Sequence, residues 1–314
     1  MIGNLIERTV KGEAEAAREL FKSSLTWDET LELFQAASSM RDEKIGRRIR
    51  MVGHQGDVSP CSVNPPCRFC SLSSSIGEYR SERISVPLET IVKNSMYMVK
   101  RGAVALLYGG GISPLSGKIA VEIARAVKKI TDVEIYFNVG PIPEHDVSVL
   151  KDLGVRRFVI SLETLDREAF SDARPGDSYD EKIKFIELLA EKGLGVSVIL
   201  MNGVGSDADL IDSIISLREY KNLSGIRLST FNPVPGTPWE NREQASIIKT
   251  LRACAIARLM HPEAVIDLAA GTPEGVRPLS FIAGCGNEVI GIMPGKDRTE
   301  EIRREVGAMG FSVE

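Results

Sequence analysis

Val104-Ala105-Leu106-Leu107-Tyr108-Gly109-Gly110-Gly111-Ile112-Ser113-Pro114 is a short apolar run that ends in three glycines and opens onto an amphipathic stretch at 116–129. A continuous apolar run of that length suits a strand buried on both faces, and the helical spacing behind it suits a helix laid on the strand. The same unit recurs along the chain. Apolar runs at Val133–Phe137, Arg157–Ile160, Gly195–Leu200, Gly225–Ser229, Val265–Leu268 and Leu279–Ile282 alternate with helical patterns around 87–100, 143–152, 178–192, 206–219, 240–260 and 298–309. A first, less sharply bounded strand falls near Ile49–Val52 or Asp57–Val58. Eight strands, each followed by a helix, predict an α/β fold, a (β/α)8 barrel of the TIM type. An open doubly wound sheet is the other arrangement that this alternation permits. In a barrel the loops after the strands gather at one end, and function collects there.

Upstream of the alternation the chain reads as helical from Asn4 to Phe21. A second helix is opened by the capping-box pattern Thr26-Trp27-Asp28-Glu29, with Leu31, Phe34 and Ala37 behind it. Residues 1–48 are therefore expected to form a helical cap and residues 49–314 the barrel. The net charge of -4 and pI near 5.7 argue against nucleic acid as the main partner, which would call for a basic excess. No apolar stretch approaches the roughly 20 residues needed to span a bilayer. The opening Met1-Ile2-Gly3-Asn4-Leu5-Ile6-Glu7-Arg8 does not read as a signal peptide, so a cytoplasmic protein is expected.

Five cysteines are an odd number for a disulfide framework, and three of them bunch in Cys61-Ser62-Val63-Asn64-Pro65-Pro66-Cys67-Arg68-Phe69-Cys70. Three thiolates on one loop after the first strand can hold three corners of an iron-sulfur cluster and leave the fourth for something other than protein. A Cys3His zinc site drawing on His54 is the rival, with His54 otherwise a loop or core residue. Cys254 and Cys285 read as small core residues.

Other strand ends carry polar groups to the same rim. Gly109, Gly110 and Gly111 let backbone come within hydrogen-bonding distance of a ligand, or mark a tight turn. Ile160-Ser161-Leu162-Glu163-Thr164 delivers a carboxylate, which could equally cap a helix. Ala173-Arg174-Pro175-Gly176-Asp177 places a guanidinium in a turn, where it could clamp a carboxylate; the two together would hold a zwitterion. Tyr108, Asn202 and Arg227 are the candidate substrate contacts, Arg227 pointing into the barrel or pairing with a buried acid such as Glu134. Arg227–Pro238 runs into a long proline-stiffened loop, and Ala283-Gly284-Cys285-Gly286-Asn287-Glu288 is expected as a further rim element after the eighth strand. The run Arg47-Arg48-Ile49-Arg50 is expected to be a solvated helix end.

Taken in strand order, these motifs resemble the radical S-adenosylmethionine enzymes over residues 49–295, in the branch that contains biotin synthase, methylornithine synthase and the maturase of the diiron hydrogenase. The resemblance implies a 4Fe-4S cluster on Cys61, Cys67 and Cys70, with S-adenosylmethionine on the fourth iron. It places Phe69 beside the adenine, Gly109, Gly110 and Gly111 toward the methionine amino group, and Glu163 and Arg174 on the polar ends of the cofactor. It implies a 5'-deoxyadenosyl radical that takes hydrogen from a small-molecule substrate, and an external electron donor of ferredoxin or flavodoxin type. The family spacing is C-x3-C-x2-C, whereas here it is C-x5-C-x2-C. The wider form resembles the branch associated with the mono-iron hydrogenase of methanogens, implicated in building the pyridinol of its iron-guanylylpyridinol cofactor. A methylornithine-synthase-like amino-acid mutase is the alternative on the same scaffold, and a zinc-stabilised ligand-binding barrel the alternative outside it. Sulfur insertion of the biotin-synthase kind is not expected, because Cys254 and Cys285 lie outside the middle strands.

Overall fold

The computed structural model describes residues 2–73, 86–269 and 274–314. Three helices lead the chain: α1 (Ile2–Val10), α2 (Ala14–Lys22) and α3 (Trp27–Lys44). The stretch expected as one helix from Asn4 to Phe21 is two. Gly12, at φ 87°, takes the left-handed turn that ends α1, and the Glu13 N–H donates back to the Arg8 carbonyl. The capping box of α3 forms: Thr26 Oγ1 accepts from the Glu29 N–H at 3.2 Å, and the Glu29 carboxylate accepts from the Thr26 N–H at 2.9 Å.

Eight parallel strands follow, namely β1 (Arg48–Asp57), β2 (Ala105–Gly109), β3 (Glu134–Asn138), β4 (Arg157–Glu163), β5 (Gly195–Asn202), β6 (Leu223–Thr230), β7 (Val265–Leu268) and β8 (Glu288–Met293). They pair in the order β7-β6-β5-β4-β3-β2-β1-β8. The crossovers run through α4 (Leu88–Lys100), α5 (Ser116–Val127), α6 (Glu144–Asp152), α7 (Arg167–Ala173), α8 (Tyr179–Glu191), α9 (Asp207–Ser216), α10 (Ile247–Met260) and α11 (Arg277–Ile282). Among the described residues, a single antiparallel bridge, Ile266 to Gly286, joins the two ends of this curl, so the barrel has a seam between β7 and β8. Beyond β8 a two-residue strand β9 (Lys296–Asp297) turns back on it, α12 (Thr299–Ala308) follows, and β10 (Ser312–Val313) pairs with the start of β1. The leading helices pack on the same side of the barrel, α3 along α10 and α2 against α9. No helix among the described residues is long and apolar enough to cross a membrane.

Four further expectations need correction. Leu279–Ile282 is not the eighth strand; it lies in α11, with Ser280 and Phe281 buried and Leu279 and Ile282 facing out. Four apolar residues cannot separate a strand from one helical turn, and Pro278 in the first turn of α11 suits the helix. The eighth strand is Glu288–Met293, so the glycine-rich stretch Gly284–Asn287 precedes a strand and lies at the N-terminal end of the barrel, away from the rim. The helix expected over 240–260 begins at Ile247 because the preceding residues are drawn over the cysteine loop, where the Trp239 N–H donates to the Arg68 carbonyl at 3.0 Å. Arg50 is not at a solvated helix end but inside β1.

Alternation along the strands sorts the core. Leu106, Tyr108, Phe137, Val198, Ile226 and Leu228 point outward under the helices, whereas Val52, Ala105, Leu107, Tyr136 and Val159 fill the lumen with Ile199 and Ile290. At the N-terminal end of the lumen an ion network spans several strands. Glu134 accepts from Arg50 and Arg157, each at 2.7 Å, and Glu288 accepts from Arg50 at 3.0 Å, Arg227 at 2.8 Å, Tyr136 at 3.1 Å, and Arg157. Burial alone would raise the Glu288 carboxyl, but Arg157 and Arg227 outweigh it and hold it below the ordinary carboxylate range. Its stabilising contribution is therefore present above that range and lost on acidification. Glu288→Gln removes the charge that three guanidinium groups share, and is expected to lower the unfolding free energy by roughly 3–5 kcal/mol, read by urea denaturation at neutral pH. A change within the error of the curve would show that the network carries little of the barrel's stability.

Candidate metal centre

The cysteine loop leaves β1 and is sewn to neighbouring strand ends by backbone. The Val58 N–H donates to the Gly109 carbonyl at 2.8 Å, the Gly111 N–H to the Ser59 carbonyl at 3.0 Å, and the Ser62 N–H to the Ile112 carbonyl at 2.8 Å. A side chain on Gly111 would collide with the backbone of Cys61, and one on Gly110 with Ser59, so the glycine run is what allows the first cysteine to sit against β2. On the other side the loop rests on the turn after α7. The Arg68 N–H donates to the Ala173 carbonyl at 2.9 Å, and a side chain on Gly176 would strike the Pro65 carbonyl. The Asn64–Pro65 peptide is cis.

Cys67 is buried, while Cys61 and Cys70 are half-buried. Their thiols lie close enough to influence one another and Arg174. Burial pushes the Cys70 thiol up to about 12 and raises that of Cys67, with Arg174 pulling both down. Deprotonation of these thiols thus calls for a cation beyond what the protein supplies. Among the described residues no three His, Cys, Asp or Glu side chains gather on a single ion. Three thiolates on one loop are the donor set of a multi-iron cluster, in which each thiolate meets its own iron. His54 is not gathered with the thiols; it faces the lumen beside Gly109, and burial together with Arg227 pushes its imidazole down to about 4.

Beside the loop, Glu163 ends β4 with φ 67°, an uncommon backbone state for a residue with a long side chain. Arg174 donates to Glu163 Oε1 at 2.7 Å and to Asp177 Oδ2 at 2.8 Å, and Lys182 on α8 lies 3.2 Å from the same Asp177 oxygen. Glu163, Arg174 and Lys182 are buried, yet Glu163 Oε2 has no hydrogen-bond partner. A buried carboxylate oxygen left bare costs about 1–3 kcal/mol or more, so the site is built for a donor that the protein does not provide. A cluster-bound molecule carrying an amino or hydroxyl group would meet that need.

Phe69 lies beside Trp239, ring centroids 5.9 Å apart, and Trp239 packs edge-on against Phe231 at 5.7 Å. Arg242 covers the outer face of Trp239, 3.6 Å from its centroid. The fold therefore brings the three cysteines, Phe69, the glycine run, Glu163 and Arg174 to one end of the barrel. Two of the candidate substrate contacts are elsewhere. Tyr108 points outward, its hydroxyl 2.8 Å from Ser95 on α4, and Asn202 turns toward α10, donating to the Ser246 carbonyl and Thr250 Oγ1. Arg227 does face the lumen, and its acid partner is Glu288; Glu134 is taken by Arg50 and Arg157.

The architecture and the cysteine loop agree with the comparisons. The sequence profile described as Radical SAM superfamily matches residues 61–217, half of the chain. The chain belongs to the radical SAM superfamily. A biotin synthase of Persephonella marina is 29% identical over 326 residues, covering 98% of this chain and 94% of that protein. An uncharacterized protein of Methanocaldococcus jannaschii is 27% identical over 289 residues, covering 90% of this chain and 75% of that one. The crystal structure of methylornithine synthase (PylB) superposes with a TM-score of 0.87 at 21% identity, covering 99% of this chain and 97% of that chain, which establishes likeness of fold. As a radical SAM enzyme the protein works with a 4Fe-4S cluster and S-adenosylmethionine.

Sequence reasoning missed Asp177 and Lys182 as members of the site, and Trp239 as the partner of Phe69. Lys182 was legible in principle. It precedes Phe185, Ile186 and Leu189 on the buried stripe of α8, where a lysine is out of place unless paired. Burial pushes its ammonium down to about 8 despite Asp177. A base whose folded value is depressed favours unfolding while it is charged, and that penalty lifts as pH rises through the folded value. Wild type is thus expected to gain stability relative to Lys182→Met between about pH 8 and 10.5, measured as the difference in unfolding free energy. A flat difference across that window would place Lys182 in contact with water.

Proposed function

We propose that Cys61, Cys67 and Cys70 hold the cluster and that Glu163 and Arg174 bind the polar groups of S-adenosylmethionine on it. Phe69 would flank the adenine, and the backbone of Gly109, Gly110 and Gly111 would meet the methionine amino group. The observation that carries this reading is the bare, buried Glu163 Oε2, held by Arg174 on the same turn that supports the cysteine loop. When bound, the pair of cofactors supplies a carbon-centred radical that can take a hydrogen atom from a substrate. The residues' work is to orient and to exclude. Arg174 and Asp177 fix the Glu163 carboxylate, Phe231 and Trp239 wall one side, and the apolar filling below keeps water from the mouth of the lumen. The electron is proposed to come from a ferredoxin- or flavodoxin-type carrier in a reducing cytoplasm.

The C-x5-C-x2-C spacing supports a role in cofactor biosynthesis, on a small polar precursor of the pyridinol of the mono-iron hydrogenase cofactor. The two extra residues lie in the stretch that rests on Gly176, so the spacing is accommodated by the fold without disturbing the CxxC bite. Cys254 on α10 and Cys285 before β8 are buried in the outer core and offer no thiolate to the lumen, which supports a reaction other than sulfur insertion.

Anaerobic reconstitution with iron, sulfide and S-adenosylmethionine is expected to give a brown protein that forms 5'-deoxyadenosine, and Cys67→Ala to lose both colour and product. A colourless protein holding one zinc would overturn the reading. Glu163→Gln keeps the shape and removes the charge; the KM for S-adenosylmethionine should rise about tenfold, in line with the loss of one charge-assisted hydrogen bond. An unchanged KM would remove Glu163 from the cofactor site.

A further inference from the structure

The lumen wall has a notch on the cysteine side of its apolar band. The strands run toward the rim and alternate, so the residue two places beyond each band residue faces the lumen one layer higher. His54 thus follows Val52 on β1, Gly109 follows Leu107 on β2, Asn138 follows Tyr136 on β3 and Ser161 follows Val159 on β4. Gly109 pairs with Asp57 on one side and with Asn138 on the other, and its missing side chain leaves a gap between them. The point where its Cβ would stand is 3.2 Å from His54 Nε2 and 3.5 Å from Asp57 Oδ1, so both groups close on the same gap. Cys61 packs against Gly111, only two residues further along the chain. Two residues span at most about 7 Å, which puts the notch just beneath the cysteine loop.

Neither the His54 nor the Asp57 side chain has a hydrogen-bond or ion-pair partner among the described residues. Asp57 is reached by solvent yet enclosed by protein; the enclosure raises its carboxyl, and no basic group counters the rise. Burial and Arg227 keep the His54 imidazole neutral, so its ring offers one acceptor nitrogen and one donor. Asn138 and Ser161 are bonded to each other, amide to hydroxyl, at 3.2 and 3.3 Å, and bring no charge. Of these four side chains only Asp57 is an anion, and it stands beside an acceptor nitrogen without a counter-charge. Two neighbouring acceptors and a missing positive charge specify an ammonium, which donates a charge-assisted bond to Asp57 and a second bond to the imidazole. We infer that the notch over Gly109 holds the ammonium group of the substrate, an amine, between Asp57 and His54, with the rest of the molecule crossing toward Asn138 and Ser161. This rests on the reading of the cysteine loop as the radical-generating site, and it deepens that reading by assigning the class of substrate. S-adenosylmethionine carries an ammonium too, but its proposed contacts are with the backbone of the glycine run and not with the side-chain face of Gly109.

The test uses the reconstituted full-length enzyme with S-adenosylmethionine present and three probes of one chain length: butylamine, butan-1-ol and butanoate. Titration followed by NMR of the probe should show butylamine binding about tenfold or more tightly than the other two, one charge-assisted hydrogen bond being worth at least that factor. Asp57→Asn should bring butylamine down to the level of butan-1-ol. Gly109→Ala, whose methyl occupies the gap while the carboxylate stays, should do the same. Equal binding of the three probes, binding of none, or a preference that survives in either variant overturns the inference. So does an Asp57→Asn enzyme that binds S-adenosylmethionine itself tenfold more weakly with no amine present, since the ammonium in the notch is then the cofactor's. Formation of 5'-deoxyadenosine on reduction is scored separately. Enzyme that forms it without preferring the amine refutes the notch alone, whereas enzyme that never forms it refutes the radical reading.

Discussion

The guanidinium of Arg174 is the contact on which the active end of this barrel depends. It joins the last residue of β4 to the turn after α7, and that turn is the shelf on which the cysteine loop lies. Asp177 holds the guanidinium from one side and Glu163 accepts from it on the other, in a setting from which water is nearly excluded. Burying such a pair is favourable only when its hydrogen bonds are complete. Here one oxygen is left over, and Lys182 supplies a further positive charge a few ångströms away. The result is a carboxylate fixed in position with spare capacity, held in an uncommon backbone state at the mouth of a barrel. A buried oxygen left over in this way calls for an explanation, and a ligand supplying a donor is one.

Below that mouth the lumen is divided by chemistry. A band of Val52, Ala105, Leu107, Val159 and their neighbours separates the rim from the arginine and glutamate network at the strands' N-terminal ends. The network fixes relative strand positions, because a slip in register would strand several charges at once. The seam between β7 and β8 is the place where this regularity stops. Among the described residues one bridge crosses it, and it is there that bare polar atoms and a cavity coincide.

Much of the fold was legible in the chain because its strands are buried on both faces. A parallel strand under a helix is largely apolar, so six of the eight announced themselves, and the first, Arg48–Asp57, with its charged and polar residues, showed only as an ill-bounded run. The eighth did not, since Leu279–Ile282 is as apolar as a strand and too short to show a period, while the true strand is interrupted by Gly291 and begins with the charged Glu288. The cysteine loop was legible because thiols at that spacing have few other uses. Tyr108 and Asn202 misled, because strand ends alternate between lumen and outer core, and a polar residue there can serve a helix as readily as a ligand. Lys182 and Asp177 escaped because a charged residue on a helix, or in a turn, looks solvated until its surroundings are known.

By itself, then, the sequence determined the strand and helix alternation, the clustering of Cys61, Cys67 and Cys70 on one loop, and the presence of Glu163 and Arg174 at strand and turn ends, since these follow from periodicity and from the order of residues along the chain. Only the tertiary structure decided which of those groups meet. That Glu163 keeps a bare oxygen, and that Arg227 answers to Glu288 and not Glu134, are facts of distance between residues far apart in the chain. Local pattern can state what a residue is able to bind; burial and register decide whether its partner is already there.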